Sequence, residues 1–212
     1  DCSAEEYTAV ANDLYVDKVN KRVADLKSLP QYADIERLLS VSGEDDLDTL
    51  VAKYLDLKAH VEKKAKYENK LCIGHGDPCF ANALYNKSTR TLKFVDPKGA
   101  LTEEDLWTNP YYDVAKLSHS VCGRYDFFNN ALFDIKLGED FAFQLDVPFD
   151  NARYKEIFRE KCEANGFDWW SVRVYEASLF LSMLPLHIDN PQKVFGLLLN
   201  AKNILKEIEE NV

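Results

Sequence analysis

Residues 74–99 read GHGDPCFANALYNKSTRTLKFVDPKG, and this stretch decides how the rest of the chain is interpreted. His75-Gly76-Asp77 is followed, five residues after the aspartate, by Asn82. Ala83-Leu84-Tyr85 and the run from Thr91 to Val95 flank Asn86-Lys87-Ser88, a composition that predicts a β-hairpin. The hairpin delivers Asp96, and Pro97 and Gly99 release the chain into a turn. Phosphoryl transfer needs positioning, a cation to neutralise charge and a base near the attacking hydroxyl. Asp77 is the candidate base, and the missing side chain of Gly76 is expected to let a substrate approach. Asn82 and Asp96 offer oxygen ligands to Mg²⁺, a hard cation. His75 is expected to orient the loop by bonding backbone carbonyls near Asp96.

Working outward, the 212 residues suffice for one domain, here read as 1–212. The composition, 46% hydrophobic and 29% charged, is that of an ordinary globular chain. A net charge of −10 argues against nucleic acid as a partner. The five cysteines (2, 72, 79, 122 and 162) are scattered and form no C-x-x-C pair. They point to reduced thiols in a cytoplasmic setting rather than to structural zinc. Cys79 has no base beside it in sequence and reads as a packing residue. No apolar run approaches the ~18 residues of a membrane-spanning helix, so no membrane partner is expected. The first residue is Asp1 rather than Met, and the natural N-terminus is expected elsewhere.

Periodicity predicts helices on both sides of the central stretch. Val10, Leu14, Val19, Val23 and Leu26 suggest one amphipathic helix over residues 3–28. Ile35, Leu38 and Leu39 suggest a second, broken at Ser42-Gly43, and a third starts at Asp45-Asp46 and runs to about Lys66. The first 70 residues therefore read as helical throughout. Leu71-Cys72-Ile73 reads as a short buried strand entering the loop, and residues 111–122 as helix. Residues 131–137 and 140–147 alternate around Gly138-Glu139 as a second hairpin, with irregular structure around Phe141 and Phe143 as the alternative. Helices follow over roughly 150–165, 168–186 and 191–210.

The loop HGD-x-x-x-x-N is similar to the HRD-x-x-x-x-N loop of protein kinases, in which the Asp is catalytic, the Asn binds metal and a later Asp holds Mg²⁺. With Asp96-Pro97-Lys98-Gly99 it resembles more closely the small-molecule kinases related to aminoglycoside phosphotransferases and choline kinases. Residues 109–117, Asn-Pro-Tyr-Tyr-Asp-Val-Ala-Lys-Leu, are similar to that family's D-P-x-Y-D-L-A segment. Asn109 stands where the family often has Asp.

The resemblance, over roughly residues 45–205, implies a mostly α chain with small β-hairpins (α+β), the C-terminal lobe of the protein-kinase-like fold. It implies ATP and Mg²⁺ as cofactors and a small-molecule hydroxyl as acceptor, on a sugar, amino alcohol or aminoglycoside. The H-G-D-x-C-F-x-N form of the loop resembles kinases of surface-polysaccharide pathways. By the same resemblance Asp77 is the base, Asn82 and Asp96 hold the metal, and Asp113 braces the loop from behind. As a first-turn acid Asp113 also suits the helix dipole. Lys98 either reaches a phosphate as a point charge or is an exposed turn lysine. The family's N-terminal nucleotide lobe, a β-sheet, has no counterpart before residue 70 and is expected upstream. The alternative is a non-catalytic kinase-like binding module. Glu103, Glu104 and Asp105 form an acidic cluster near an expected substrate mouth. His187 and Asp189 either line an acceptor pocket or belong to a helix–helix turn capped by Asp189 or Asn190. Trp169-Trp170 and Phe127-Phe128 read as packing residues.

Overall fold

The computed structural model describes residues 1–41, 45–138 and 142–212. Its N-terminal helical segment begins with a capping box, in which the Ser3 hydroxyl accepts from the Glu6 amide and the Glu6 carboxylate accepts from the Ser3 amide. From Tyr7 to Val23 the residues it buries are Tyr7, Ala11, Tyr15, Val19 and Val23, a spacing of four, and Leu26 follows three residues later. An α-helix repeats every 3.6 residues, so such a stripe drifts around the axis unless the helix is rephased. Rephasing occurs here: α1 (Ala4–Asn12) passes through a π-helical turn at Asp13–Asp17 into α2 (Lys18–Lys27). Val10 and Leu14, expected on the buried face, are only partly buried for the same reason.

Next come α3 (Tyr32–Val41) and α4 (Leu47–Lys64), the latter capped by Asp46, whose carboxylate accepts from the Thr49 amide at 2.7 Å. The predicted break at Ser42-Gly43 lies outside the described residues. Helix does not continue to residue 70. After Lys64 the chain runs extended into β1 (Cys72–Ile73), which is not the buried strand expected, since Ile73 is 58% exposed. Its single partner strand, β4, covers one edge and leaves its face open.

The predicted hairpin is β2 (Ala83–Asn86) paired antiparallel with β3 (Thr91–Phe94), Tyr85 opposite Leu92. β4 (Trp107–Thr108) returns to β1, placing Trp107 opposite Ile73. Then follow α5 (Tyr111–Val121), the short α6 (Tyr125–Asn129), β5 (Asp134–Leu137) and β6 (Phe143–Asp146). β5 and β6 form the second hairpin, and Phe143 lies in β6 opposite Leu137. Glu139 and Phe141 lie outside the described residues. α7 (Ala152–Ala164), α8 (Trp169–Met183) and α9 (Pro191–Glu209) complete the chain. The Asn190 side chain accepts from the Lys193 amide at 3.0 Å and caps α9, so residues 184–190 form a helix–helix turn.

Helix α8 is the axis of the fold. All of its residues but Trp170 are buried, and α2, α4, α5, α7 and α9 pack around it. Tyr15 of the π-helical turn stacks on Tyr175 of α8 with ring centroids 3.9 Å apart. Two α8 residues are charged, which in a core requires pairing. Arg173 and Glu176 form a buried ion pair, the Ser118 hydroxyl of α5 donates to Glu176, and Arg173 reaches Glu207 of α9 at 3.0 Å. Lys155 of α7 closes the chain on Glu207 at 2.6 Å. The described residues are thus mostly helical, with three small antiparallel strand pairs, an α+β arrangement. No helix among them is long and apolar enough to cross a membrane.

Candidate functional site

Helix α5 builds the site by presenting Asp113, Lys116 and Ser120 to the loop. The spacing i, i+3, i+7 puts them on one helical face, while Ala115, Ser118 and His119 turn toward the core. One oxygen of the Asp113 carboxylate accepts from the His75 amide at 2.6 Å and the other from the Gly76 amide at 2.8 Å. Further along the loop, the Ser120 hydroxyl accepts from the Phe80 amide at 3.1 Å.

Between these anchors lies Asp77. Its Oδ1 is 3.1 Å from the Lys116 ammonium, and its Oδ2 accepts from Asn82 Nδ2 at 3.2 Å. The same Asn82 nitrogen donates to the Asp77 carbonyl at 3.0 Å, so the two residues five apart are locked together. Asn82 Nδ2 faces Asp77, which leaves the Asn82 side-chain oxygen as a neutral donor for a cation. The Asn82 carbonyl accepts from the Val95 amide at 2.9 Å, which brings the end of the hairpin, and Asp96 beyond it, to the loop. Asp96 is exposed and has φ +59°, a left-handed conformation sparsely populated except by Gly, Asn and Asp. The Asn82 oxygen and the Asp96 carboxylate are oxygen donors of the kind a hard cation such as Mg²⁺ prefers. No group of three or more His, Cys, Asp or Glu side chains arranged for a metal is present among the described residues.

Two expectations about the loop need correction. The space that a Gly76 side chain would fill is taken, although Gly76 also lines a cleft beside the loop. The Gly76 φ is +80°, and a Cβ there would stand 2.6 Å from Lys98 Cβ. Glycine is required because the Lys98 stem crosses the loop at that point, pinned by a 2.8 Å bond from the Lys98 amide to the His75 carbonyl. Gly74 is needed for a parallel reason, since a Cβ would crowd the Asp113 carboxylate at 3.0 Å. Nor does the His75 imidazole bond carbonyls near Asp96. Its Nδ1 accepts from the Asp77 amide at 3.3 Å, its Nε2 is buried without a partner, and its ring meets Phe94 edge-on. His75 thus packs under the loop, and its backbone rather than its ring makes the link toward the Asp96 turn.

Sequence reasoning missed Lys116. Its position three residues after Asp113 in a helix was the available signal, because that spacing points both side chains the same way. Around it lies a concentration of positive charge. Burial pushes the Tyr112 phenol up, but the ammonium groups of Lys18, Lys116 and Lys98 outweigh burial and leave it below its ordinary value. Lys18 donates to the Tyr112 oxygen at 2.9 Å.

Beside the loop, between it and the π-helical turn, is a cleft of about 380 Å³ lined by Asp13, Lys98, Glu104, Asp105, Trp107 and Tyr112. Glu104 and Asp105 of the expected acidic cluster therefore do face a cleft next to the loop. Cys79 is buried, with its thiol pushed up by burial and by the nearby Asp77 carboxylate, as suits a packing residue. Phe128 and Trp169 are buried, and Phe127 stacks on Phe149, so these aromatics pack rather than project. His187 is partly buried in the turn before α9.

Comparison with known proteins gives no matching family model, no matching curated protein and no matching solved structure.

Proposed function

We propose that this chain is the catalytic lobe of a small-molecule kinase of the aminoglycoside phosphotransferase and choline kinase type, arranged like the C-terminal lobe of the protein-kinase-like fold and working in the cytoplasm. The reaction is transfer of the ATP γ-phosphoryl group to a hydroxyl of a sugar, amino alcohol or aminoglycoside, with surface-polysaccharide metabolism as one setting. The observation that carries this reading is the direct contact between Asp77 and Asn82 in HGD-x-x-x-x-N, on a loop held from behind by Asp113. A turn built only for surface packing does not need a carboxylate, an amide oxygen and a left-handed Asp96 gathered at one loop.

In this reading the acceptor hydroxyl docks against the Asp77 carboxylate. As its oxygen bonds to the γ-phosphorus and the bond to the β-phosphate oxygen breaks, the hydroxyl proton passes to Asp77 and ADP leaves. Asp113 and Ser120 hold the loop backbone, so that Asp77 needs no reorganisation. Asn82 and Asp96 would hold Mg²⁺, which when bound neutralises phosphate charge. Nucleotide contacts beyond this lobe are assigned to an N-terminal lobe expected upstream.

The test is Mg²⁺-dependent transfer from γ-labelled ATP to pooled sugars, amino alcohols and aminoglycosides, with the chain and with any longer polypeptide that carries it. Labelled product that disappears in Asp77→Asn supports the reading, and deconvolution names the acceptor class. A second reading, a non-catalytic kinase-like binding module, is favoured by the ion pair that already occupies Asp77 Oδ1. Absence of both transfer and nucleotide binding would select it.

A further inference from the structure

We propose that Lys116, on helix α5 rather than on the loop, is the anion-contacting residue of the site and takes the phosphoryl group of a phosphate-bearing ligand beside Asp77. The ligand class rests on the phosphotransfer reading given above; the placement of the cation does not. Lys116 Nζ lies 3.1 Å from Asp77 Oδ1, and its side chain is only 18% exposed. An ammonium has three donors, and the ion pair uses one. Lys116 stands on a helix at the point where Asp77, 40% exposed, opens to solvent.

Two further lysines belong to the same region. Lys98 crosses the same loop at Gly76, next to Asp77. Lys18 donates to the Tyr112 oxygen at 2.9 Å, and the charges of Lys116 and Lys98 also hold that buried phenol below its ordinary value. Asp13, Glu104 and Asp105 line the adjoining cleft, so on this acidic surface the lysines are the groups that can hold a phosphate. In the free protein Asp77 is the anion that Lys116 holds. On binding, a phosphate oxygen competes for the same ammonium, and Asp77 becomes freer to engage a hydroxyl.

This competition gives the test its sign. Pyrophosphate binding to the 212-residue chain is measured by titration calorimetry at constant ionic strength, with and without MgCl₂. A charged hydrogen bond contributes about 1.5–3 kcal/mol, so Lys116→Met is expected to weaken binding about tenfold or more. Lys116→Arg should stay within about threefold, because it keeps charge and donors. Asp77→Asn should tighten binding, since it removes the competing carboxylate. A merely structural ion pair moves none of these constants. No pyrophosphate binding by the wild-type chain, or equal binding by wild type and Lys116→Met, overturns the proposal. Should Lys116→Met fail to fold, Asp77→Asn decides: tighter binding supports the site and unchanged binding sinks it. Pyrophosphate binding through Lys116 without transfer to any acceptor would leave the anion site standing and the kinase reading fallen. Transfer and binding both undiminished in Lys116→Met would do the reverse.

Discussion

Replacing Gly76 by alanine tests whether the crossing of Lys98 over the loop holds the site in shape. Two costs follow from the geometry. At φ +80° a residue with a Cβ pays about 1–2 kcal/mol for left-handed backbone. The new Cβ also meets Lys98 Cβ at 2.6 Å, a contact that must open by about 1 Å. Because Cβ atoms sit beside the backbone, no side-chain rotation relieves it. The Lys98 amide must then leave the His75 carbonyl, now 2.8 Å away, at a further cost of about 1 kcal/mol. Together these predict a loss of about 2–3 kcal/mol, or a fall of about 1 M in the urea midpoint. A double-mutant cycle separates the terms. In a Lys98→Gly background the steric term vanishes and the backbone term remains, so the cost of Gly76→Ala should fall to about 1–2 kcal/mol. A cost of Gly76→Ala that is the same in both backgrounds would refute the crossing, and a cost below about 0.5 kcal/mol would refute both terms.

Asp113→Asn retains an acceptor for one of the two loop amides and presents an N–H₂ to the other. It should lower stability by about 1.5–3 kcal/mol and increase hydrogen exchange at His75 and Gly76, while unchanged exchange there would remove the clamp. His119 is buried between Tyr125 and Phe180 with neither ring nitrogen partnered, and burial, then the nearby Lys116 charge, hold its imidazole well below 6.5. The unfolded chain takes up that proton first, so stability should fall as pH drops below about 6.5, by up to about 1.4 kcal/mol per unit for one proton. His119→Phe should remove one proton's worth of that slope in urea titrations at pH 5 and pH 7; an unaltered slope would mean that His119 is protonated in the fold.

What the sequence revealed and what it hid divide along physical lines. Long periodic segments were legible because burial on one side of a helix leaves a repeat, and the hairpin 83–94 was legible from its turn residues. β4 was not, because two residues carry no period, and neither was the π-helical turn, because Val10, Leu14, Val19, Val23 and Leu26 were taken for the stripe of one ordinary helix. At the site, Asp77, Asn82 and Asp96 stood out through their spacing. The neighbours of Asp77 did not: Lys116 is 39 residues away in the chain, and only docking of α5 brings it there. Gly76 was read only as an opening, and its role as a crossing point was missed because sequence does not reveal which segment comes back over a loop. The His75 ring was assigned the bonds that its backbone makes.

The placement of α8 has a consequence for how the chain is made. Its partners α2, α4 and α5 all precede it in the sequence, and α9 follows. On a ribosome their apolar stripes emerge first and wait for the helix they are meant to cover. Tyr15 has no Tyr175 to stack on until the chain has been synthesised through α8. The packing of the first 120 residues, loop included, therefore waits until α8 has been made. A message truncated before α8 would release not a smaller working piece but an adhesive set of half-buried helices, the kind of product that chaperones retain and proteases remove.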